Sequence, residues 1–383
     1  MALVDLSPLL QLLLVGAAVA TPLLGWTLWR QRWAEPRDRL AALTVLTVFL
    51  TFDLVLFGAF TRLTDSGLGC PDWPGCYGHS SPIGARAAIE AEQAVMPTGP
   101  VTHGKAWIEM VHRYLATGVG ALIVALLALR WRWRSALDEG PGGLRWAGLT
   151  LLWVLAQGAF GALTVTMKLF PAIVTAHLLG GVGLLALLAA QWAQLAPLAA
   201  AGMPHRWRPS QRRAAALLLG LVVFQVALGG WTSTNYAVLA CSEFPRCQGS
   251  WWPAMNFSEG FSVWRPLGLT AAGEPISFAA LTAIHYVHRL YAYALLLLLW
   301  GMAFWLYRTD REPRLAKGLA LLGLWQLLTG LSNVVLGWPL LAAVAHTGGA
   351  AALVALLAFH LARPEPQFAS ARSAALHPSN LPA

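Results

Sequence analysis

Four of the ten histidines lie in sequence motifs that occur twice in the chain. VHRYLA at 111–116, with His112, is repeated as VHRLYA at 287–292, with His288, and AHLLGG at 176–181, with His177, is repeated as AHTGGA at 345–350, with His346. Imidazole nitrogens bind iron, copper and zinc. A lone histidine in an apolar helix usually forms a hydrogen bond between helices. Two matched pairs favour two equivalent sites, each holding a metal ion or a metal cofactor.

The segments around these histidines are strongly apolar. Of 383 residues, 57% are hydrophobic and 11% are charged, whereas roughly 25% of an ordinary soluble domain is charged. This composition excludes a soluble enzyme, a disordered chain and a small disulfide scaffold. Nine segments have the roughly 20 mostly apolar residues that a transmembrane helix needs: 9–29, 40–61, 108–129, 146–166, 172–196, 214–233, 280–306, 316–337 and 339–362.

Basic residues indicate how these segments cross the membrane. They cluster in every second loop, after segments one, three, five and seven, and such loops are cytoplasmic. This places the N-terminus and the long loops 62–107 and 234–279 outside, and the C-terminus inside, a bacterial-type plasma membrane. The first segment could instead be a signal peptide, but no lysine or arginine precedes it, so we expect a retained helix. The net charge of +9 is then a topology signal, and no nucleic-acid partner is expected.

The repeat extends beyond the histidine motifs. GAFTRLTDSGLGCPDWPGCYG at 58–78 matches GGWTSTNYAVLACSEFPRCQG at 229–249 in one register, without insertion or deletion. We predict an all-α polytopic membrane protein with two pseudo-symmetric four-helix bundles, parallel to each other, and one extra N-terminal helix. The predicted units are the extra helix and its loop (1–39), the first bundle (40–196), a cytoplasmic linker (197–213), the second bundle (214–362) and a cytoplasmic tail (363–383).

The predicted bundles bring the histidines together in pairs. In each bundle they lie on the second and fourth helices, which run in the same direction, so the two imidazoles reach a similar depth near the outer end. Facing each other across a four-helix interior, His112 and His177, and likewise His288 and His346, could bind a haem iron from both faces.

Neighbouring residues suit a haem in two respects. Arg113 and Arg289 directly follow two of the histidines and could pair with haem propionates, although each could also be a solvated arginine at the membrane interface. Glycines at 180–181 and 348–349 follow the other two histidines. They would let a flat macrocycle approach the backbone, or would permit close helix packing.

All four cysteines lie in the predicted outer loops, as the C-x5-C pairs Cys70/Cys76 and Cys241/Cys247. An even count in an oxidising compartment favours disulfides. A zinc site is the alternative, but zinc sites usually have tighter spacing and more ligands. A disulfide that closes so short a loop would serve to shape it, or to sense or exchange redox state.

The two repeats differ beside the second-helix histidine. Glu109 precedes His112 by one helical turn and shares its helix face, whereas the equivalent residue in the second repeat is His285. An acid in only one repeat suggests that one unit does chemistry while the other carries electrons or supports structure. Pairing of Glu109 with Lys105 at the interface is the alternative. Asp53, deep in the second segment, has no role that we can assign.

These residues resemble the haem A synthase family. The resemblance rests on TRLTDSGLGCPDWPGCYG (61–78), EMVHRYLA (109–116), VTAHLLGG (174–181), HYVHRLYA (285–292) and VAHTGG (344–349), and covers roughly residues 40–362. Many members of the family have eight helices and one cysteine pair, so the extra first helix and the pair Cys241/Cys247 are departures.

The resemblance implies an oxidoreductase that converts the C8 methyl of haem O to a formyl group through a hydroxymethyl stage, giving haem A. It implies that His112 and His177 bind the substrate haem O, that His288 and His346 hold a haem b cofactor, and that Glu109 is catalytic. It also implies an electron donor that the sequence does not identify. Further partners would be haem O synthase and cytochrome oxidase assembly factors, and the chain could form a homo-oligomer.

Two other functions share some of these features. A membrane b-type cytochrome that only transfers electrons, for instance from quinol, would use the same four histidines without modifying haem. A transporter built from parallel repeats would bind no haem. For haem A synthesis itself, either a histidine leaves the iron in the first unit, or the ring is oxidised by electron withdrawal and attacked by water. The sequence does not decide between these two mechanisms.

Overall fold

The structure is a computed structural model that describes residues 7–137, 140–196, 207–309 and 312–364. In these ranges the chain is helical, with isolated β-bridges and no β-strand. Most of the predicted linker, the predicted tail from residue 365 onward, and Arg206 and Arg311 of the basic loops lie outside the described residues.

Nine helices in the described ranges are long and apolar enough to cross a membrane, which confirms the predicted all-α multi-pass class. We number them α1 (Ser7–Arg30), α2 (Pro36–Leu63), α3 (His103–Arg132), α4 (Gly140–Thr166), α5 (Pro171–Leu195), α6 (Pro209–Thr234), α7 (Phe278–Arg308), α8 (Pro313–Val335) and α9 (Leu340–Ala362).

The helices begin where the sequence supplies start signals. Four of them, α2, α5, α6 and α8, begin with a proline in the first turn, where its missing N–H costs nothing. The two histidine-bearing helices that follow the long loops begin at hydroxyl caps. Thr102 accepts a hydrogen bond from the backbone N–H of Lys105, and Ser277 accepts one from that of Ala280.

The helices pack in two rings of four. In the first ring α2, α3, α4 and α5 each contact the next, and α5 returns to α2; α6, α7, α8 and α9 are arranged in the same way. The rings meet where α5 contacts α6 and α9, and where α2 contacts α9, while α1 packs outside against α3. Gly348 permits one of these approaches, because a Cβ there would lie 2.7 Å from Leu56 Cδ2.

The two long loops between helices carry the same local structure. Each contains one disulfide, Cys70–Cys76 or Cys241–Cys247, which confirms both predicted pairs. Directly after each disulfide the chain turns back through two residues with positive φ, Tyr77–Gly78 and Gln248–Gly249. Glycine suits the second of these positions, since a left-handed backbone costs it little.

Candidate functional site

The four motif histidines lie on diagonally opposite helices of the two rings. His112 is on α3 and His177 on α5, while His288 is on α7 and His346 on α9. Since α3 and α5 each flank both α2 and α4, the side chains that they direct inward meet in the middle of the ring. The same holds for α7 and α9.

The second pair has the spacing that one metal ion requires. The ring centroids of His288 and His346 are 6.5 Å apart, and the ring planes are 84° apart. A metal–imidazole bond is about 2.0 Å and a ring nitrogen lies about 1.1 Å from its centroid, so imidazoles on opposite sides of one metal have centroids about 6 Å apart.

A glycine on a neighbouring helix makes room for each imidazole. A Cβ at Gly58 would lie 3.1 Å from Cε1 of His112, and a Cβ at Gly229 would lie 3.0 Å from Cε1 of His288. The corresponding distances are 3.5 Å from Gly161 to His177 and 3.2 Å from Gly330 to His346. The first two glycines are repeat equivalents of each other, and so are the last two. Both units therefore build the same cradle.

Two imidazoles do not complete the coordination of a bare metal ion. No cluster of three or more histidine, cysteine, aspartate or glutamate side chains that could hold a metal occurs within residues 7–137, 140–196, 207–309 and 312–364. A haem iron needs only two axial ligands from the protein, because the macrocycle supplies the rest. The residues present thus fit a haem better than a bare ion.

Glu109 is buried beside the first disulfide loop, with its side chain 5% exposed. One carboxylate oxygen accepts a hydrogen bond of 2.5 Å from Arg113, and the other accepts one of 2.8 Å from the backbone N–H of Cys70. The alternative partner, Lys105, donates instead to the carbonyl of Gly99. The acid thus connects the helix of His112 to the cysteine loop.

Both arginines that follow a histidine bind the loop of their own unit. Arg113 donates to the carbonyls of Asp72, Pro74 and Gly75, and Arg289 to those of Cys241, Glu243 and Arg246. Their predicted contact with haem propionates stays a prediction. His285, the counterpart of Glu109, contacts the carbonyl of Ala237 through Nδ1.

Several residues near the imidazoles were not singled out from the sequence. Phe57 stacks on His112 with ring centroids 6.2 Å apart, while Gln225 contacts His288 Nδ1 and Thr329 contacts His346 Nδ1. The glycines at 180 and 349 lie against the side chains of Gln157 and Gln326. Gln225 could have been found from the sequence, because it is a polar residue in an otherwise apolar helix. Its repeat equivalent, Leu54, is apolar and does not stand out in this way.

These features define a multi-pass membrane protein with two equivalent imidazole pairs, each beneath a disulfide-closed loop. The chain belongs to the cytochrome oxidase assembly protein family, which matches residues 41–358. It is 37% identical over 314 residues to the heme A synthase of Shewanella oneidensis, a match that covers 82% of this chain and 92% of that protein.

Further relatives carry the same name at lower identity. The heme A synthase of Caulobacter sp. strain K31 is 30% identical over 354 residues, covering 83% of this chain and 94% of that protein. The heme A synthase of Caulobacter vibrioides is 30% identical over 333 residues, covering 80% of this chain and 90% of that protein. The family match over residues 41–358 includes both histidine pairs.

Proposed function

We propose that this chain is a haem A synthase, an enzyme of haem A biosynthesis that oxidises the C8 methyl of haem O to a formyl group through a hydroxymethyl intermediate. The observation that carries this proposal is the pair of equivalent imidazole sites, only one of which has an acid beside it. The family match over residues 41–358 includes both sites, and the relatives named heme A synthase cover 80–83% of this chain.

In this proposal the first pair, His112 and His177, binds the substrate haem O. The second pair, His288 and His346, holds haem b as a resident cofactor. When bound there, haem b would supply one-electron transfer. Arg113 and Arg289 lie one residue beyond two of the ligands, where they could also meet propionates.

The reaction on the methyl group removes four electrons. Each of two hydroxylations removes two electrons and adds one oxygen atom, and the resulting geminal diol loses water to give the formyl group. If a histidine leaves the substrate iron, dioxygen supplies the oxygen, and an electron donor supplies the two electrons that, with two protons, reduce its second atom to water. If electrons are withdrawn from the ring, water supplies the oxygen and an acceptor takes the electrons. Labelling the hydroxymethyl product with ¹⁸O₂ or H₂¹⁸O distinguishes these routes.

Glu109 is the residue that we assign to catalysis. It lies one helical turn from His112, and its carboxylate is held by Arg113 and Cys70. In this position it would accept the proton of an attacking water, or stabilise positive charge that develops at the methyl carbon. The second unit has His285 at this position and no equivalent acid.

We place the protein in a bacterial-type plasma membrane with the N-terminus and the two disulfide loops outside and the C-terminus in the cytoplasm. The basic loops after α1, α3, α5 and α7 support this orientation. The partners that we assign to the reaction are haem O and an electron donor. We include haem O synthase, cytochrome oxidase assembly factors and a second copy of the chain as further candidate partners.

Mass analysis of noncovalently bound haem tests the proposal. The protein is expressed with a supply of haem O, purified, and its haem extracted. We expect haem b together with the hydroxymethyl and formyl products. His112→Ala with His177→Ala should remove the products and retain haem b, and His288→Ala with His346→Ala should remove haem b. Unmodified haem alone in the unaltered protein would favour an electron-transfer cytochrome and overturn the proposal.

A further inference from the structure

The two imidazole pairs differ in what contacts their second ring nitrogen. In the second unit Nδ1 of His288 lies 3.1 Å from Nε2 of Gln225, and Nδ1 of His346 lies 2.9 Å from the hydroxyl of Thr329. In the first unit Nδ1 of His112 and Nδ1 of His177 are buried without a hydrogen-bond partner among the described residues.

The difference arises because one residue on each of two helices differs between the repeats. In the register that pairs Gly58 with Gly229, Gln225 corresponds to Leu54. In the register that pairs Gly161 with Gly330, Thr329 corresponds to Phe160. Because each of these glycines lies against its own histidine, both registers hold at the imidazoles themselves. Apolar side chains therefore replace the two polar partners in the first unit.

Thr329 fixes the tautomer of His346. Its hydroxyl donates a hydrogen bond of 2.7 Å to the carbonyl of Trp325, one turn earlier on α8. The oxygen is then free to accept a proton from Nδ1, which leaves the lone pair of Nε2 available for a metal. A histidine ligand whose other ring nitrogen is held in this way has a fixed orientation and greater basicity.

Gln225 holds His288 at two points. Its amide nitrogen donates to the backbone carbonyl of His288 at 3.1 Å and contacts Nδ1 of the same residue. The amide oxygen is buried without a partner among the described residues, so either end of the amide can face the ring. A metal on Nε2 requires the ring proton on Nδ1, and the amide oxygen, once turned toward the ring, accepts that proton.

We infer that Gln225 and Thr329 are positioning residues that make the second site a permanent haem site. Leu54 and Phe160, at the same positions of the first unit, leave its histidines unanchored, so that haem can enter and leave. This inference rests on the proposed function, because it explains why one unit retains a cofactor while the other exchanges substrate and product. Gln225 and Thr329 would act through the histidines that they contact, and not by binding the iron.

The rate of haem release measures how strongly Gln225 and Thr329 retain haem in the second site. Each site is examined alone, with the first emptied by His112→Ala and His177→Ala or the second by His288→Ala and His346→Ala, and haem is transferred to excess apomyoglobin. Thr329→Val and Gln225→Leu should each speed release from the second site by about 10-fold to 100-fold. In the other background, Leu54→Gln with Phe160→Thr should slow release from the first site.

A midpoint potential separates positioning from general loosening. Thr329→Val removes the acceptor for Nδ1–H, so His346 becomes a weaker base and the potential of the haem in the second site should rise. Thr329→Ser keeps the hydroxyl and should restore both the potential and the release rate. Unchanged release and potential in Thr329→Val and Gln225→Leu would overturn the inference. Neither the release rate nor the midpoint potential depends on formation of the formyl product. Failure of the proposed reaction can therefore be distinguished from failure of this inference.

Discussion

The hydroxyl of Tyr236 donates a hydrogen bond of 2.6 Å to the carboxylate of Asp65, and these two residues are each other's repeat equivalents, 171 positions apart. Both have a left-handed backbone, with φ of 51° at Asp65 and 55° at Tyr236. Arg62 likewise donates to the carbonyl of its own equivalent, Ser233. A residue meets its equivalent only near the axis that relates the repeats. The pseudo-twofold axis therefore passes close to the C-terminal ends of α2 and α6.

Arg62 makes three interactions at this contact. Its guanidinium bonds the carbonyl of Ser233, pairs with Asp65 at 3.2 Å and lies 4.0 Å from the centroid of the Tyr236 ring. Burial raises the pKa of the Tyr236 phenol, as does its bond to Asp65, so the hydroxyl remains a donor at neutral pH. The contact is thus present across the physiological pH range.

We expect Arg62→Ala to lower the apparent free energy of unfolding by about 1–3 kcal/mol, because it removes a charged hydrogen bond and a cation–π contact together. Thermal unfolding of the detergent-solubilised protein, followed by tryptophan fluorescence, provides the measurement. Arg86→Ala is the matched control, since Arg86 is 75% exposed and pairs with the exposed Glu90. Equal effects of the two substitutions would argue against a structural contact at the axis.

Glu109→Gln tests the assigned catalytic acid. The amide preserves the size of the side chain and an acceptor for the N–H of Cys70, but it has no charge and cannot take up a proton. We expect haem to remain bound and conversion to stop at an early stage, with formation of the formyl product reduced by about 10²-fold to 10⁴-fold. Mass analysis of the extracted haem measures this.

The matched control for this substitution is Glu90→Gln, because Glu90 is an exposed carboxylate in the segment between α2 and α3. It should leave product formation unchanged. A normal yield of formyl product in Glu109→Gln would contradict the catalytic role. The acid would then serve only to hold the cysteine loop against α3.

Gly229→Ala tests the cradle around His288. The new Cβ would lie 3.0 Å from Cε1 of the imidazole, so the ring must shift by a few tenths of an ångström. Overpacking of this kind costs about 1–3 kcal/mol, and we expect haem in the second site to bind about tenfold more weakly, as measured by titration of the Soret absorbance.

Gly220→Ala is the control on the same helix, α6. No heavy atom lies within 4 Å of a Cβ at that position. Alanine there should leave haem binding unchanged and stabilise the helix by about 0.5–1 kcal/mol. If both alanine substitutions leave haem affinity unchanged, Gly229 is not part of the cradle.

The nine long helices were predictable because length and hydropathy alone decide which segments can span a membrane. The predicted segments and the observed helices differ mainly at the helix ends. For example, the predicted segment 108–129 is His103–Arg132 in the structure, since the cap at Thr102 and the basic last turn extend the helix beyond its apolar part. The disulfides were predictable from compartment and spacing, and the histidine pairs from the repeat.

The neighbours of the site were less predictable, because they depend on which helix faces which. Nothing in the spacing of Glu109 and Cys70 shows that the carboxylate reaches a loop amide 39 residues earlier. Lys105 was the alternative partner for Glu109 in the sequence. The structure pairs Glu109 with Arg113 instead, because both side chains face the cysteine loop. Tertiary contacts of this kind leave no periodic signal in the sequence.

The loop between α6 and α7 should loosen in acid through Glu259. Its carboxylate accepts hydrogen bonds from the backbone N–H and the hydroxyl of Ser277, the cap of α7, and from the side chain of Asn256. The bonds from Ser277 lower the pKa of Glu259 below its ordinary value. A lowered pKa means that the stabilisation is complete above the unfolded-state pKa of about 4.3 and is lost as the pH falls through the folded-state value.

Hydrogen exchange, expressed as protection relative to the intrinsic rate at each pH, measures this loosening at the amide of Ser277. We expect protection to be constant above about pH 5 and to fall as the pH drops below about 4. Glu259→Gln should show lower protection at neutral pH and no such decrease in acid, because its amide does not titrate. Glu274→Gln is a control in the same loop, since Glu274 makes no side-chain bond to Ser277. A decrease of equal size in Glu259→Gln would assign the acid sensitivity to another group.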